Sequence, residues 1–230
     1  MEYLQTLKWI FLEDERYKYV LEGLGFSVSV TLMAAVLGLA FGVLLALMRL
    51  SHFYPLGLKF NPLAKFALVY VDVVRGTPVL VQLMIFANIV FVGDLRDVPI
   101  LVIAALAFGL NSAAYVSEII RAGIEGLDKG QSEAARALGM DYVTTMKEII
   151  IPQAVKKILP TLVSEFITLL KESSIVGFIG GVDLIRSADI ITSQTYRGVE
   201  PLLLVGIIYL ILTTLFAKFM RRIEERLKTS

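Results

Sequence analysis

The run from Gly23 to Met48 holds no charged residue. A helix needs only about 20 mostly apolar residues to cross the hydrocarbon of a bilayer, so this run is long enough to span it. The rest of the chain agrees: 57% of its residues are apolar and 19% charged, more apolar than a soluble core of 230 residues needs. Four further runs have similar character. They are Lys65 to about Val92, interrupted by Asp72 and Arg75; Val98 to about Ile120; Ile158 to about Val176; and Pro201 to Ala217, with Lys218 as a snorkelling anchor. The expectation is an all-α integral membrane bundle of about five transmembrane helices.

An odd number of spans puts the two ends on opposite sides. Arg121, Lys129, Arg136, Lys147, Lys156 and Lys157 lie between spans three and four, and Arg221, Arg222, Arg226 and Lys228 follow span five. The opposite segments hold fewer cations, such as Arg96, Arg186 and Arg197. The positive-inside rule then puts the N-terminus outside and the C-terminus in the cytoplasm. Residues 1–22 interleave apolar side chains with charge and lack a small-residue cleavage site, which predicts an interfacial amphipathic segment with Tyr3, Trp9 and Phe11 at headgroup depth. Residues 23–220 form the membrane domain and 221–230 a cytoplasmic tail.

Several functions are disfavoured. The net charge of +1 gives no basic field for nucleic acid. The absence of cysteine removes disulfides, thiolate metal sites and thiol nucleophiles. No GxxxxGK[ST] motif occurs, so ATP-driven work needs a partner. His52 is the only histidine, and no serine or carboxylate is arranged around it as in a hydrolytic centre; it is expected to be an interfacial side chain.

The polar insert of residues 123–157 stands out against this background. Its stretch EAARALGMDYVTTMKEIIIPQA, Glu133 to Ala154, reads as two short helices around a hinge. Ser132 is the expected N-cap of the first, with Glu133 at the positive end of its dipole and Gly139 at a left-handed C-terminal position. Asp141 caps the second, which Pro152 ends or kinks. Ala134, Ala135 and Ala137 give a small-residue face beside Leu138 and Met140, suited to a groove on a soluble partner. A surface-lying amphipathic helix pair is the plainer alternative.

Glu133-Ala134-Ala135, Gly139, Ile149 and Pro152 resemble the EAA loop of ABC importer permeases, with Ile151 where that pattern has leucine. VRGTPVLVQ (Val74 to Gln82), AAYVSEIIRAGIEGLDKGQSEAARALGM (Ala113 to Met140) and KESSIVGFIG (Lys171 to Gly180) resemble the polar amino-acid uptake branch of the type I importers. The resemblance runs from about Gly23 to the C-terminus. It implies a non-enzymatic translocation subunit in a bacterial cell membrane, whose first insert helix is a coupling helix docking through Glu133, Ala134, Ala135, Leu138, Gly139 and Met140. The implied partners are two ATP-binding-cassette ATPases carrying ATP and magnesium, a second permease copy (homodimer ahead of heterodimer), an extracytoplasmic binding protein, the lipid bilayer and an amino-acid substrate. This chain itself would hold no cofactor.

Ionisable groups inside spans are functional candidates, because leaving them unpaired in hydrocarbon is costly. Asn111, Tyr115 and Glu118 fall on one helical stripe, and Thr161, Glu165, Thr168 and Glu172 on another. With Asp72 and Arg75 they make up the candidate substrate site, and structural pairing between helices is the competing reading for each. Asp72 and Arg75, three residues apart, are placed to neutralise one another. Gly76 and Pro78 would kink or open the second helix, freeing backbone groups beside a cavity. Carboxylates outnumber Arg75 and Lys171 in the spans, which favours a basic amino acid. Glutamine is the main competitor, since Asn111, Tyr115 and Gln82 offer hydrogen bonds to a neutral amide. A proton-coupled secondary transporter and an intramembrane hydrolase are the rival functions.

Overall fold

The computed structural model describes residues 2–51 and 60–229; His52 and Lys59 lie outside them. The described residues form helices and turns, with no strand among them. The helices are α1 Glu2–Leu12, α2 Tyr17–Leu50, α3 Pro62–Arg75, α4 Val79–Ile85, α5 Ile100–Glu125, α6 Lys129–Ala137, α7 Tyr142–Thr145, α8 Ile151–Glu172, α9 Leu184–Thr195 and α10 Val199–Thr229.

The helices α2, α5 and α10 are each long and apolar enough to cross a membrane, and α3 with the α4 segment passes the same test as a pair bent by 103°. The expected fourth span, Ile158 to about Val176, falls mostly on α8, which is long enough but is interrupted by Lys156, Lys157, Glu165, Lys171 and Glu172 and does not pass that test. The first span begins at Tyr17, six residues before the uncharged run, because the amphipathic turn Tyr17–Glu22 continues the same helix. The N-terminal segment packs on the bundle: Ile10 is buried in a cluster with Val20, Leu184, Ala188, Ile191 and Val205. Arg16 fastens it there by donating to the Trp9 carbonyl at 2.8 Å and to Gln194 Oε1 at 3.2 Å.

The principal helix pair is α2 against α5. Lipid offers no hydrophobic drive for this contact, so close packing of small residues must supply it. Gly38 and Gly42 provide the approach: a Cβ at Gly38 would lie 2.9 Å from the Ser112 side chain, and one at Gly42 would lie 2.6 Å from Val116. Around this seam Val30, Ala34, Leu83, Ala104, Ala107, Phe108, Leu169 and Val176 close a core that draws α4 and α8 onto the pair.

Three expectations about helix ends are corrected. Glu133 lies in the middle of α6 rather than at its start, and the first turn of that helix holds no acidic residue. Asp128, not Ser132, caps α6, its carboxylate accepting from Gly130 N at 2.9 Å; Ser132 lies inside the helix and donates back to the Lys129 carbonyl. Pro152 does not end its helix. A wide turn over Met146–Ile150 joins α7 to α8, with Ile151 N bonded to the Met146 carbonyl, and Pro152 sits in the first turn after it. A proline is tolerated where its missing N–H was not needed for the regular ladder.

Candidate functional site

The second span breaks at Gly76-Thr77-Pro78, where the sequence predicts an opening. On the N-terminal side of the break, α3 is anchored at its start and again partway along. Asn61 caps it by accepting from Leu63 N and Ala64 N at 3.0 and 3.1 Å, and Tyr70 OH donates to the Leu110 carbonyl of α5 at 2.8 Å. At the lip of the break the Arg75 guanidinium lies 5.4 Å from the centre of the Tyr115 ring. Asp72 and Arg75 form no ion pair among the described contacts, and both side chains are exposed. Their mutual neutralisation is therefore not observed, and the ring face takes the place of the carboxylate.

Arg75, Tyr115, Glu118, Lys157 and Thr161 line one cleft of about 290 Å³ between α3, α5 and α8. Glu118 is not free within it. Its carboxylate pairs with Arg49 of α2 at 2.5 Å and with Arg121 one turn along α5, while Arg121 also pairs with Glu125. The two cations neutralise Glu118 and tie the C-terminal ends of α2 and α5 together. Arg49 stands sixty-nine positions from Glu118 and Arg121 lies off the Asn111, Tyr115 and Glu118 stripe, so neither is among the residues that the sequence pattern singles out.

Glu165 enters a different space. It accepts from Ser112 Oγ at 2.7 Å and borders a largely apolar cavity of about 190 Å³ between α2, α5, α8 and α10, beside stacked Phe166 and Phe216. Glu172 is half-buried two turns further along α8. Among the described residues neither Glu165 nor Glu172 has an ion-pair partner. Thr168 is exposed and donates back to the Ser164 carbonyl at 3.1 Å. Asn111, 2% exposed, donates to Gln82 Oε1 at 3.0 Å. The predicted stripes are thus divided: Arg75, Tyr115, Glu118 and Thr161 share one cleft, Glu165 borders another, and Asn111 is occupied by Gln82.

The polar insert is built as a presented helix. Gly139 has φ +85°, its N–H donates to the Arg136 carbonyl at 3.0 Å, and Met140 N donates to the Ala135 carbonyl at 3.1 Å. These two bonds satisfy carbonyls that the end of α6 would leave open, in the arrangement a left-handed glycine permits. The alanines do not act as one face: Ala134 and Ala137 are exposed, while Ala135 is buried beneath the turn. Leu138 is 84% exposed, and Tyr142 and Val143 continue the apolar surface onto α7. Asp141 caps α7 by accepting from Thr144 N at 2.9 Å. Hydrogen bonds from the Thr144 side chain and backbone hold the Asp141 carboxyl below its ordinary range.

Residues 38–229 match the family described as the binding-protein-dependent transport system inner membrane component. The chain belongs to that family. It is 42% identical to the arginine transport system permease protein ArtQ of Bacillus subtilis (strain 168), covering 92% of this chain and 94% of the relative. It is 40% identical to the putative glutamine transport system permease protein GlnP of Rickettsia bellii (strain RML369-C), with coverage of 92% and 94%. A solved chain from an amino acid ABC transporter with histidines superposes with a TM-score of 0.83 at 42% identity, covering 94% of this chain and 98% of that one. The chain is accordingly a type I ABC importer permease of the polar amino-acid group, a non-catalytic subunit of the inner membrane. The insert carries the EAA motif of such permeases.

Proposed function

We propose that this permease forms the pathway for a basic amino acid, with α6 as the coupling helix on which a cytoplasmic ATPase seats. The observation that carries this reading is the presentation of α6: a capped, exposed helix ending in a left-handed glycine beside the bare Leu138, Tyr142 and Val143 surface. An apolar surface held on a short rigid helix is suited to a partner's groove. The Lys/Arg bias supports a cytosolic position for the insert, an outer N-terminus and a multi-pass placement in a bacterial plasma membrane. A second copy of the chain, two ATPases using ATP with magnesium, and an extracytoplasmic binding protein complete the assembly. Closure of the ATPases would pull on α6 and switch the pathway between inward- and outward-facing forms.

Charge supports the cargo class. On α8 beyond Thr161 the carboxylates Glu165 and Glu172 lack ion-pair partners among the described residues, against the cation Lys171. An amino acid's own carboxylate and ammonium cancel, so the surplus acid favours a cationic side chain. The relative whose name specifies arginine and, separately, the solved amino acid ABC transporter with histidines point the same way, while the glutamine relative supplies the competing cargo. The test is ATP-dependent uptake by the complex reconstituted in liposomes, with arginine, lysine, histidine and glutamine in competition. Uptake without ATPase or ATP would refute the importer mechanism, and glutamine preferred over every basic competitor would refute the basic cargo.

A further inference from the structure

The break in the second span raises a specific accounting problem. In an unbroken helix the Val74 carbonyl would accept from the N–H of residue 78, but residue 78 is proline and has none. Gln82 answers it. Its Nε2 reaches back across the bend and donates to the Val74 carbonyl at 2.8 Å, with Thr77 Oγ1 at 2.7 Å and the Thr77 carbonyl at 3.2 Å also in range. At its other end Oε1 accepts from the buried Nδ2 of Asn111 on α5. The amide cannot be turned round, because its oxygen would then face two carbonyls that only accept.

We propose that Gln82 is a positioning residue: it gives the Val74 carbonyl a short hydrogen bond where Pro78 has no N–H and, through Asn111, clasps the broken span to α5, so that Arg75 is held at the Tyr115 cleft. Arg75 is the last residue of α3 before the break, and Tyr115 stands one helical turn from Asn111 on α5. One clasp therefore fixes both partners of the Arg75 and Tyr115 contact. Gln82 and Asn111 are spent on each other and on the backbone, so neither presents an amide to the cargo as their sequence positions suggested. The inference rests on the cleft belonging to the cargo pathway, and its tests separate the two.

The whole complex is assayed with Gln82→Leu, Asn111→Ala and Arg75→Ala, singly and combined. Loss of a buried hydrogen-bond partner is expected to raise the half-saturating arginine concentration about tenfold in Gln82→Leu, with a smaller change in maximal rate. Gln82→Leu/Asn111→Ala should be no worse than the worse single variant, and in an Arg75→Ala background the Gln82→Leu effect should fall below about twofold. An equal loss in the Arg75→Ala background, or full additivity of the first pair, would overturn the positioning role. Asn111→Ala keeps the backbone bonds of Gln82 and serves if Gln82→Leu does not assemble. Hydrogen exchange over residues 74–81 gives a readout independent of cargo: Asn111→Ala should raise exchange there about tenfold. Unchanged exchange refutes the clasp, whereas raised exchange with no arginine uptake by the parent complex keeps the clasp and removes the cargo reading.

Discussion

Replacing Gly139 by valine tests whether the shape of the insert, rather than its composition, makes it a docking helix. The residue sits at φ +85°, and a Cβ built there meets nothing within 4 Å. The substitution is therefore not a steric clash with neighbours; its cost is conformational. A side chain in the left-handed region costs about 1–2 kcal/mol, and a β-branched one belongs at the upper end. Escaping the strain means giving up the Met140 to Ala135 and Gly139 to Arg136 bonds, each worth about 0.5–1.5 kcal/mol net. Either way the docking-competent form loses about 2 kcal/mol. Apparent affinity for a partner falls with the competent fraction, so binding of the ATPase should weaken about thirtyfold. The assay is titration of the purified ATPase against detergent-solubilised permease, with uptake measured in parallel. Gly139→Asn is the control, because asparagine tolerates this region; it should retain most of the binding. ATPase affinity within twofold of the parent in the valine variant, or equal damage from asparagine, would refute the reasoning.

The other predictions concern orientation, acid response and the roles of the carboxylates. The chain has no native cysteine, so a cysteine at Gly130 should react only with cytosolic thiol reagent and one at Asp94 only with external reagent; the reverse pattern would invert the topology. Asp141 has a lowered pKa in the folded chain, so its cap is present above about pH 4, the unfolded value, and is lost as pH falls through the lower folded value. Hydrogen exchange of the Tyr142–Thr145 amides should therefore accelerate on acidification, and Asp141→Asn, which still caps, should lose that response. Glu118→Gln leaves Arg49 and Arg121 without their shared charge and should destabilise the solubilised protein by about 2 kcal/mol, between exposed and buried pairs, a loss read from its melting temperature, with little change in the arginine-to-glutamine binding ratio. Glu165→Gln should lower that ratio about tenfold, as expected from losing a charge-assisted contact; an unchanged ratio would make Glu165 structural.

What could be read from the sequence divides along the distance over which each feature is determined. Long uncharged runs, the Gly139 turn and the Asp141 cap depend on residues within a few positions, and the structure has them. The Gly76 and Pro78 break is likewise local, since a missing N–H needs no tertiary partner to disrupt a helix. Pro152 shows the limit of that reasoning: the same residue is accommodated after the wide turn at Met146–Ile150, which the proline alone does not announce. Ser132 lost its predicted role to Asp128, four positions earlier, because both can cap and the chain's departure from α5 at Gly126 decides where the next helix starts.

The candidate site was less legible because a helical stripe says which side chains share a face but not what stands opposite. Glu118 and Glu165 look alike in sequence, each a carboxylate inside a span. Opposite Glu118, the end of α2 brings Arg49, sixty-nine positions away, so that this carboxylate becomes part of the scaffold. Opposite Glu165, α5 brings only the Ser112 hydroxyl, fifty-three positions away. A hydroxyl can satisfy one lone pair but cannot cancel a charge. That difference, set by how the Gly38 and Gly42 seam brings α5 against α2, leaves Glu165, unlike Glu118, without a counter-ion among the described residues, which is why the proposed basic cargo is tested at Glu165.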